Sequence, residues 1–159
     1  MPLSNTSAGN IMETEKDFKE LLESFNAHKV DYLIVGGFAL AFHGAPRMTG
    51  DMDIFVKSDP GNAQRIVAAL TDFGLQSLGF AASDFEKPDM IVQLGVPPVL
   101  VDIITSLTGI TWEQAVAGKV RGLYGDITVF YIGLSEFVVN KKTTGRKRDL
   151  ADLESLGKN

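Results

Sequence analysis

Three carboxylates and a pair of glycines carry the chemistry open to this sequence. Asp51 and Asp53 stand two residues apart in the run Gly50-Asp51-Met52-Asp53-Ile54-Phe55-Val56. A strand sends alternate side chains to opposite faces, so both acids project from one face and Met52 and Ile54 from the other. Two carboxylates this close repel each other unless a cation lies between them. Mg²⁺ suits that place, because it takes hard oxygen ligands and shares carboxylates with substrate phosphates, and Mn²⁺ is its natural substitute. Asp102 is a third acid, set in the apolar run Val99-Leu100-Val101-Asp102-Ile103-Ile104. Burying it unpaired would be costly, so it is expected to point out of its sheet at a cation or substrate. If its strand lies beside Asp51 and Asp53, the three acids suit two-metal phosphoryl or nucleotidyl transfer, with ions about 3.5–4 Å apart.

Gly36-Gly37 closes the apolar run Tyr32-Leu33-Ile34-Val35. Glycine at a strand-to-helix junction lets the backbone approach a ligand, and the helix start offers free N–H groups to an anion. A phosphate cradle and a carboxylate pair in one strand-helix-strand unit imply a metal-bound nucleotide. Each feature alone has an ordinary alternative: a turn, an exposed strand face, or an edge acid facing water. Their order along the chain gives them weight.

The elements that must position these residues follow from periodicity. Phe18, Leu21, Leu22 and Phe25 predict a first helix over 13–28, after a loose tail at 1–10. Strands are expected at 32–35, 51–56, 89–94 and 99–105, and a hairpin at 119–123 and 127–132. Helices are expected at 38–43, 63–73, 112–117, 135–142 and 146–156, with Asp59-Pro60-Gly61-Asn62 as a turn and Thr111 as a cap. This order predicts an α/β (α+β) fold, a mixed sheet flanked by helices, in one domain over 11–159.

Composition narrows the classes further. The chain has 159 residues, 45% hydrophobic and 22% charged, which fits an ordinary globular domain rather than a disordered chain. Without cysteine, it has no disulfide scaffold, thiolate zinc site or thiol nucleophile. Two histidines argue against a His-rich metal site. A formal charge of −5 argues against general duplex-DNA or membrane-surface binding. Neither a membrane span nor a signal peptide is legible, so the expected location is cytoplasmic.

The combination Gly36-Gly37, Arg47-x-Thr49-x-Asp51-x-Asp53 and Asp102 resembles the polymerase-beta-like nucleotidyltransferase superfamily. The nearest likeness is to minimal, single-domain bacterial members, including those of abortive-infection systems. Asn140-Lys141, Gly145-Arg146 and Asp149-Leu150-x-Asp152-Leu153 share in that likeness, which spans about 32–156. It implies that Asp51, Asp53 and Asp102 bind two Mg²⁺ ions. Asp102 would also help deprotonate an acceptor hydroxyl, and the Gly36 and Gly37 backbone would hold the β- and γ-phosphates of ATP or another nucleoside triphosphate. The hydroxyl, on a protein, a tRNA or other RNA 3′ end, or a small molecule, would attack the α-phosphate and release pyrophosphate. The likeness also implies a possible toxin-antitoxin partner, and it includes members that bind without catalysing. An unrelated phosphatase or nuclease using the same acids is a third reading.

Lys141, Lys142, Arg146, Lys147 and Arg148 form a basic cluster within an acidic chain. They read either as a solvated helix face pairing with Asp149, Asp152 and Glu154, or as a phosphate-binding wall. The resemblance assigns Lys141 and Arg146 to the triphosphate or a polyanionic acceptor. Arg47 reads as a phosphate contact or a salt bridge to a strand acid, and Thr49 as a nucleotide contact or a cross-sheet pair. His43 reads as a packed helix-end residue or a substrate contact.

Overall fold

A computed structural model describes residues 6–45, 50–75, 79–96 and 99–158. Arg47 and Thr49 lie outside the described residues.

Six strands form one mixed sheet in the order β3-β4-β2-β1-β6-β5. In chain order they are β1 (Tyr32–Val35), β2 (Asp51–Val56), β3 (Ile91–Val96), β4 (Val99–Ile104), β5 (Val120–Tyr124) and β6 (Ile127–Tyr131). The helices are α1 (Thr6–Ala27), α2 (Gly36–Phe42), α3 (Pro60–Phe73), α4 (Trp112–Ala117), α5 (Leu134–Thr144) and α6 (Lys147–Ser155). A 3₁₀ turn spans Ala82–Asp84. The mixed sheet flanked by helices matches the architecture expected from the sequence.

The pairing explains how the chain brings its acids together. β1 and β2 run antiparallel, with α2 between them in sequence, and β2 runs parallel to β4. β3 and β4 form an antiparallel pair on the outer side, and β5 and β6 form another on the far side of β1. Met52 and Ile54 on β2, and Val101 and Ile103 on β4, are buried, while the intervening Asp53 and Asp102 are only half-buried. This alternation pins the register, since a slip of one residue would drive the acids into the core.

Two amphipathic helices pack together beside the sheet. Phe18, Leu21, Leu22 and Phe25 of α1 are buried, as are Ala63, Ile66, Ala69 and Leu70 of α3. The Ser24 hydroxyl donates to the Ala69 carbonyl at 2.7 Å, tying the two together. Helix α1 begins at Thr6, seven residues before the expected start, so residues 6–10 of the anticipated tail are helical. Once a helix is nucleated, each added residue gains a hydrogen bond, and weak local propensity then does not stop it.

The anticipated turn at Asp59–Asn62 is instead the start of α3. Asp59 caps the helix by accepting from the Asn62 N–H at 2.7 Å, and Pro60 takes the first turn, where its missing donor costs nothing. Asn62 is fully buried. Its side chain binds the Asp31 N–H and carbonyl and the Lys57 carbonyl at 2.8, 3.1 and 2.9 Å. It thereby fixes the start of β1 to the end of β2, the two strands that frame the site.

Candidate functional site

One row of residues crosses the sheet. Gln93 on β3 stands opposite Asp102 on β4, Asp102 opposite Asp53 on β2, and Asp53 opposite Val35 on β1. The Gln93 amide donates to Asp102 Oδ1 at 2.9 Å. Burial, then the charge of Asp102 and a hydrogen bond with it, and the charge of Asp51, push the Asp53 carboxyl up to about 6. Lys141 pulls in the opposite direction but does not cancel these effects. Two acids in contact cannot both ionise freely, so this pair holds a proton or a cation with unusual ease.

Chain direction reverses beside Asp53. Gly36 follows β1 with φ +65°, a region that side-chain-bearing residues rarely enter. A Cβ there would collide with the Asp53 carboxylate. Glycine therefore serves two physical needs at once: the left-handed turn into α2, and room for the acid. Gly37, its neighbour, is buried in the first turn of α2.

Asp51 lies one same-face step before Asp53, in register with Leu100, and acts on Asp53 through its charge. Among the described residues, no three Asp, Glu or His side chains are grouped tightly enough to enclose an ion by themselves. The donor set nonetheless fits Mg²⁺. Among the described residues, Lys141 only partly offsets the charge at the Asp53–Asp102 pair, and Mg²⁺ commonly takes one or two carboxylates and fills its remaining positions with water and substrate phosphate. Asp53 and Asp102 would be the protein ligands, with Asp51 beside them.

The opposite wall comes from the C-terminal helices. Lys141 on α5 is buried, with Nζ 3.2 Å from Asp149 Oδ1 and 3.7 Å from Asp152 Oδ2. Arg146 meets the same acid through two nitrogens, Nε to Oδ2 at 2.7 Å and Nη2 to Oδ1 at 3.2 Å. Burial pushes the Asp149 carboxyl up. Hydrogen bonds from Arg146, Thr144 and Lys141 outweigh that and hold it well below the usual carboxylate range. The turn between the helices uses Gly145 at φ +61°. Both readings of the basic cluster thus meet here: Lys141 and Arg146 pair with helix acids, yet they also line the cleft.

That cleft has a volume of about 570 Å³ and brings Gly36 and Asp53 to the same wall system as Lys141, Arg146 and Arg148. Arg148 was legible only as part of a charge cluster. Asn140 was legible only through the Asn140-Lys141 part of the family likeness, and the Ser106 and Thr108 hydroxyls on this cleft carried no sequence signal, since single polar residues after a strand are common. His43 does not join the cleft lining. Its Nε2 hydrogen bonds with the Ile132 carbonyl at 2.7 Å, and its ring packs near Phe42 and Phe137. It is a packing residue, one of the two roles expected for it.

No helix among the described residues is long and apolar enough to cross a membrane. No family model matches the chain, and no curated protein matches its sequence. Solved structures do. A Thermotoga maritima protein provisionally assigned as a nucleotidyltransferase superimposes with a TM-score of 0.61 at 14% identity, over 87% of this chain and 89% of that one. An antigenic nucleotidyltransferase-like protein from Paracoccidioides brasiliensis gives 0.54 at 14% identity, over 92% and 74%. The likeness extends over nearly the whole sheet-and-helix framework that carries the acid row, and the chain accordingly has a nucleotidyltransferase-like fold.

Proposed function

We propose that this protein transfers a nucleoside monophosphate from a nucleoside triphosphate to an acceptor hydroxyl, releasing pyrophosphate. The observation that carries the reading is Asp53, in contact with Asp102 and hard against Gly36, lining one cleft together with Lys141, Arg146 and Arg148. Such a site is acidic where a metal would sit and basic where polyphosphate would lie.

Asp53 and Asp102, with Asp51 adjacent, would hold Mg²⁺, or Mn²⁺ in its place. The ion, one or two per site, would neutralise charge on the phosphates as the bond to phosphorus forms. The chain's own residues do the rest. Lys141 and Arg146 line the cleft with positive charge and orient the triphosphate, while Asp149 and Asp152 hold Lys141 in place. Asp102 takes the proton of the acceptor hydroxyl as its oxygen bonds to the α-phosphorus, and the bond to pyrophosphate breaks. The Gly36 and Gly37 segment adjoins the β- and γ-phosphates. Catalysis then comes mainly from positioning and fixed charge.

The acceptor is a protein side chain, an RNA 3′ end such as that of a tRNA, or a small molecule. The setting we infer is cytoplasmic, with an antitoxin-like partner if the activity is toxic. A second reading is a nucleotide- or partner-binding module without transfer, such as an antitoxin or regulator. It draws on the absence, among the described residues, of a closed three-ligand group.

Incubation with cell lysate and triphosphates labelled at the α-phosphate separates the two. Transfer of label with pyrophosphate release, abolished by Asp53→Asn, supports the enzyme. Binding of a triphosphate with no label transferred to any acceptor supports the module. Release of inorganic phosphate instead would replace both with a hydrolase.

A further inference from the structure

Cations outnumber their partners at the turn between α5 and α6. Lys141, Lys142, Arg146, Lys147 and Arg148 all stand there. Two of them account for the nearby acids of α6: Lys141 holds Asp149 and Asp152, and Arg146 shares Asp149. Among the described residues, Lys142, Lys147 and Arg148 pair with no acid. All three are exposed. The cluster thus divides into an inner part neutralised within the fold and an outer part whose charge is left to solvent.

Helix electrostatics accounts for only some of the outer part. Lys142 lies in the last turn of α5, at the negative end of its dipole, where a cation is stabilising. Lys147 and Arg148 open α6, at the positive end of its dipole, where a cation is disfavoured. Asp149 is the acid of that first turn, and its charge already serves Lys141 and Arg146. Two cations held against the local rule on an exposed turn mark a functional need rather than a contribution to folding.

The place of the cluster defines that need. Lys141, Arg146 and Arg148 line the cleft that holds Asp53, whereas Lys142 and Lys147, their chain neighbours, do not. Positive charge therefore continues from the cleft margin outward, where it can serve only a ligand longer than the cleft encloses. A polynucleotide end meets both conditions: its terminal hydroxyl enters the cleft, and its trailing phosphodiesters carry a negative charge at every step. We infer that Lys142, Lys147 and Arg148 form a landing surface for the backbone of a single-stranded polynucleotide whose 3′ end is the acceptor. Contacts of this kind position a strand without reading its sequence. The inference rests on the nucleotidyl-transfer reading and selects among its acceptors.

Fluorescence anisotropy tests it, with short single-stranded RNA and DNA oligonucleotides of mixed sequence titrated with the full chain over a range of salt. Each phosphate contact on a single strand adds about 0.7 to the slope of log affinity against log salt. Lys142→Gln combined with Lys147→Gln should lower that slope by about 1.4 and weaken binding about 25-fold at about 0.1 M salt, alike for different sequences. Both side chains are exposed, so the fold is not threatened, and replacing both by arginine should retain the wild-type slope. Affinity for ATP with Mg²⁺, measured by calorimetry, should not change, because neither lysine lines the cleft. Removing the same charge at Lys16 and Lys119, also off the cleft lining, should leave the slope near that of the wild type. Equal weakening by that second pair would reduce the effect to net charge and overturn the surface. Tighter binding of RNA or of DNA supports the surface and identifies the sugar of the strand. Label transferred only to a protein or small molecule, with no oligonucleotide bound, overturns the surface and leaves nucleotidyl transfer standing. A wild-type chain that binds neither oligonucleotide nor triphosphate removes both.

Discussion

Gly36 turns against the carboxylate of Asp53 at a point where no side chain fits, and this close approach sets the geometry of the whole acid row. Gly36→Ala should displace the Asp53 side chain and force a left-handed alanine. The backbone term costs about 1–2 kcal/mol. Denaturant melts should show a loss of that order, with transfer activity reduced far more than stability. A fully active, equally stable alanine variant would contradict the contact.

Asp53 and Asp102 repel each other, so neutralising either should spare the fold and disable the chemistry. Asp53→Asn and Asp102→Asn should each lower label transfer by on the order of 10²–10³, the scale seen when one preorganised electrostatic group is lost. Chemical stability at neutral pH should hold or rise. Loss of folding in both variants would mean that the acids are structural.

The raised Asp53 pKa has a defined sign. Its folded value of about 6 lies above the unfolded value, so between about pH 4 and 6 the native state binds the extra proton. Stability should therefore increase as pH falls through that window, by up to about 2–3 kcal/mol. Asp149 acts in the reverse sense. Its depressed folded pKa contributes stability above the unfolded value, which is lost only in strong acid. Urea titrations across pH should show the first slope in the wild type and lose it in Asp53→Asn.

Lys141 holds two buried acids, so its removal should be felt in the fold as well as in activity. Lys141→Met leaves Asp149 and Asp152 without that cation and should cost about 3–5 kcal/mol. Arg146→Ala should cost much less, because the Arg146 side chain is 59% exposed and Lys141 still faces Asp149. Comparable losses from the two, measured by denaturant unfolding, would refute this ordering.

An ion held mainly by two carboxylates should bind weakly alone and tightly with polyphosphate. Mn²⁺ titrated by electron paramagnetic resonance should show affinity rising by about tenfold or more when a nucleoside triphosphate is added, since phosphate oxygens complete the coordination. A chelator should abolish transfer, and Mg²⁺ or Mn²⁺ should restore it. Tight binding without nucleotide would point to a preformed cage instead.

Local pattern was enough for much of this. The alternation Asp51-Met52-Asp53-Ile54 encodes a strand with one polar and one apolar face, because strand geometry has a period of two. Phe18, Leu21, Leu22 and Phe25 encode a helix for the same kind of reason at a period of 3.6. Thr111 with Gln114 encodes a cap, and the two side chains do exchange hydrogen bonds with each other's backbone N–H groups. Asp59-Pro60 was ambiguous between a turn and a helix start, since both use the same residues and only the packing of Ala63 and Ile66 against the core decides.

Residue order alone determined that three acids, two glycines and a late basic run existed, and which side of each strand they would take. It did not determine that β4 lies beside β2, which alone puts Asp102 against Asp53 across 49 positions of chain. Nor did it say that Lys141 would be buried between two acids while still lining the cleft. Strand neighbours and helix docking are settled by how the whole apolar surface is buried at once, and no local stretch of chain carries that information.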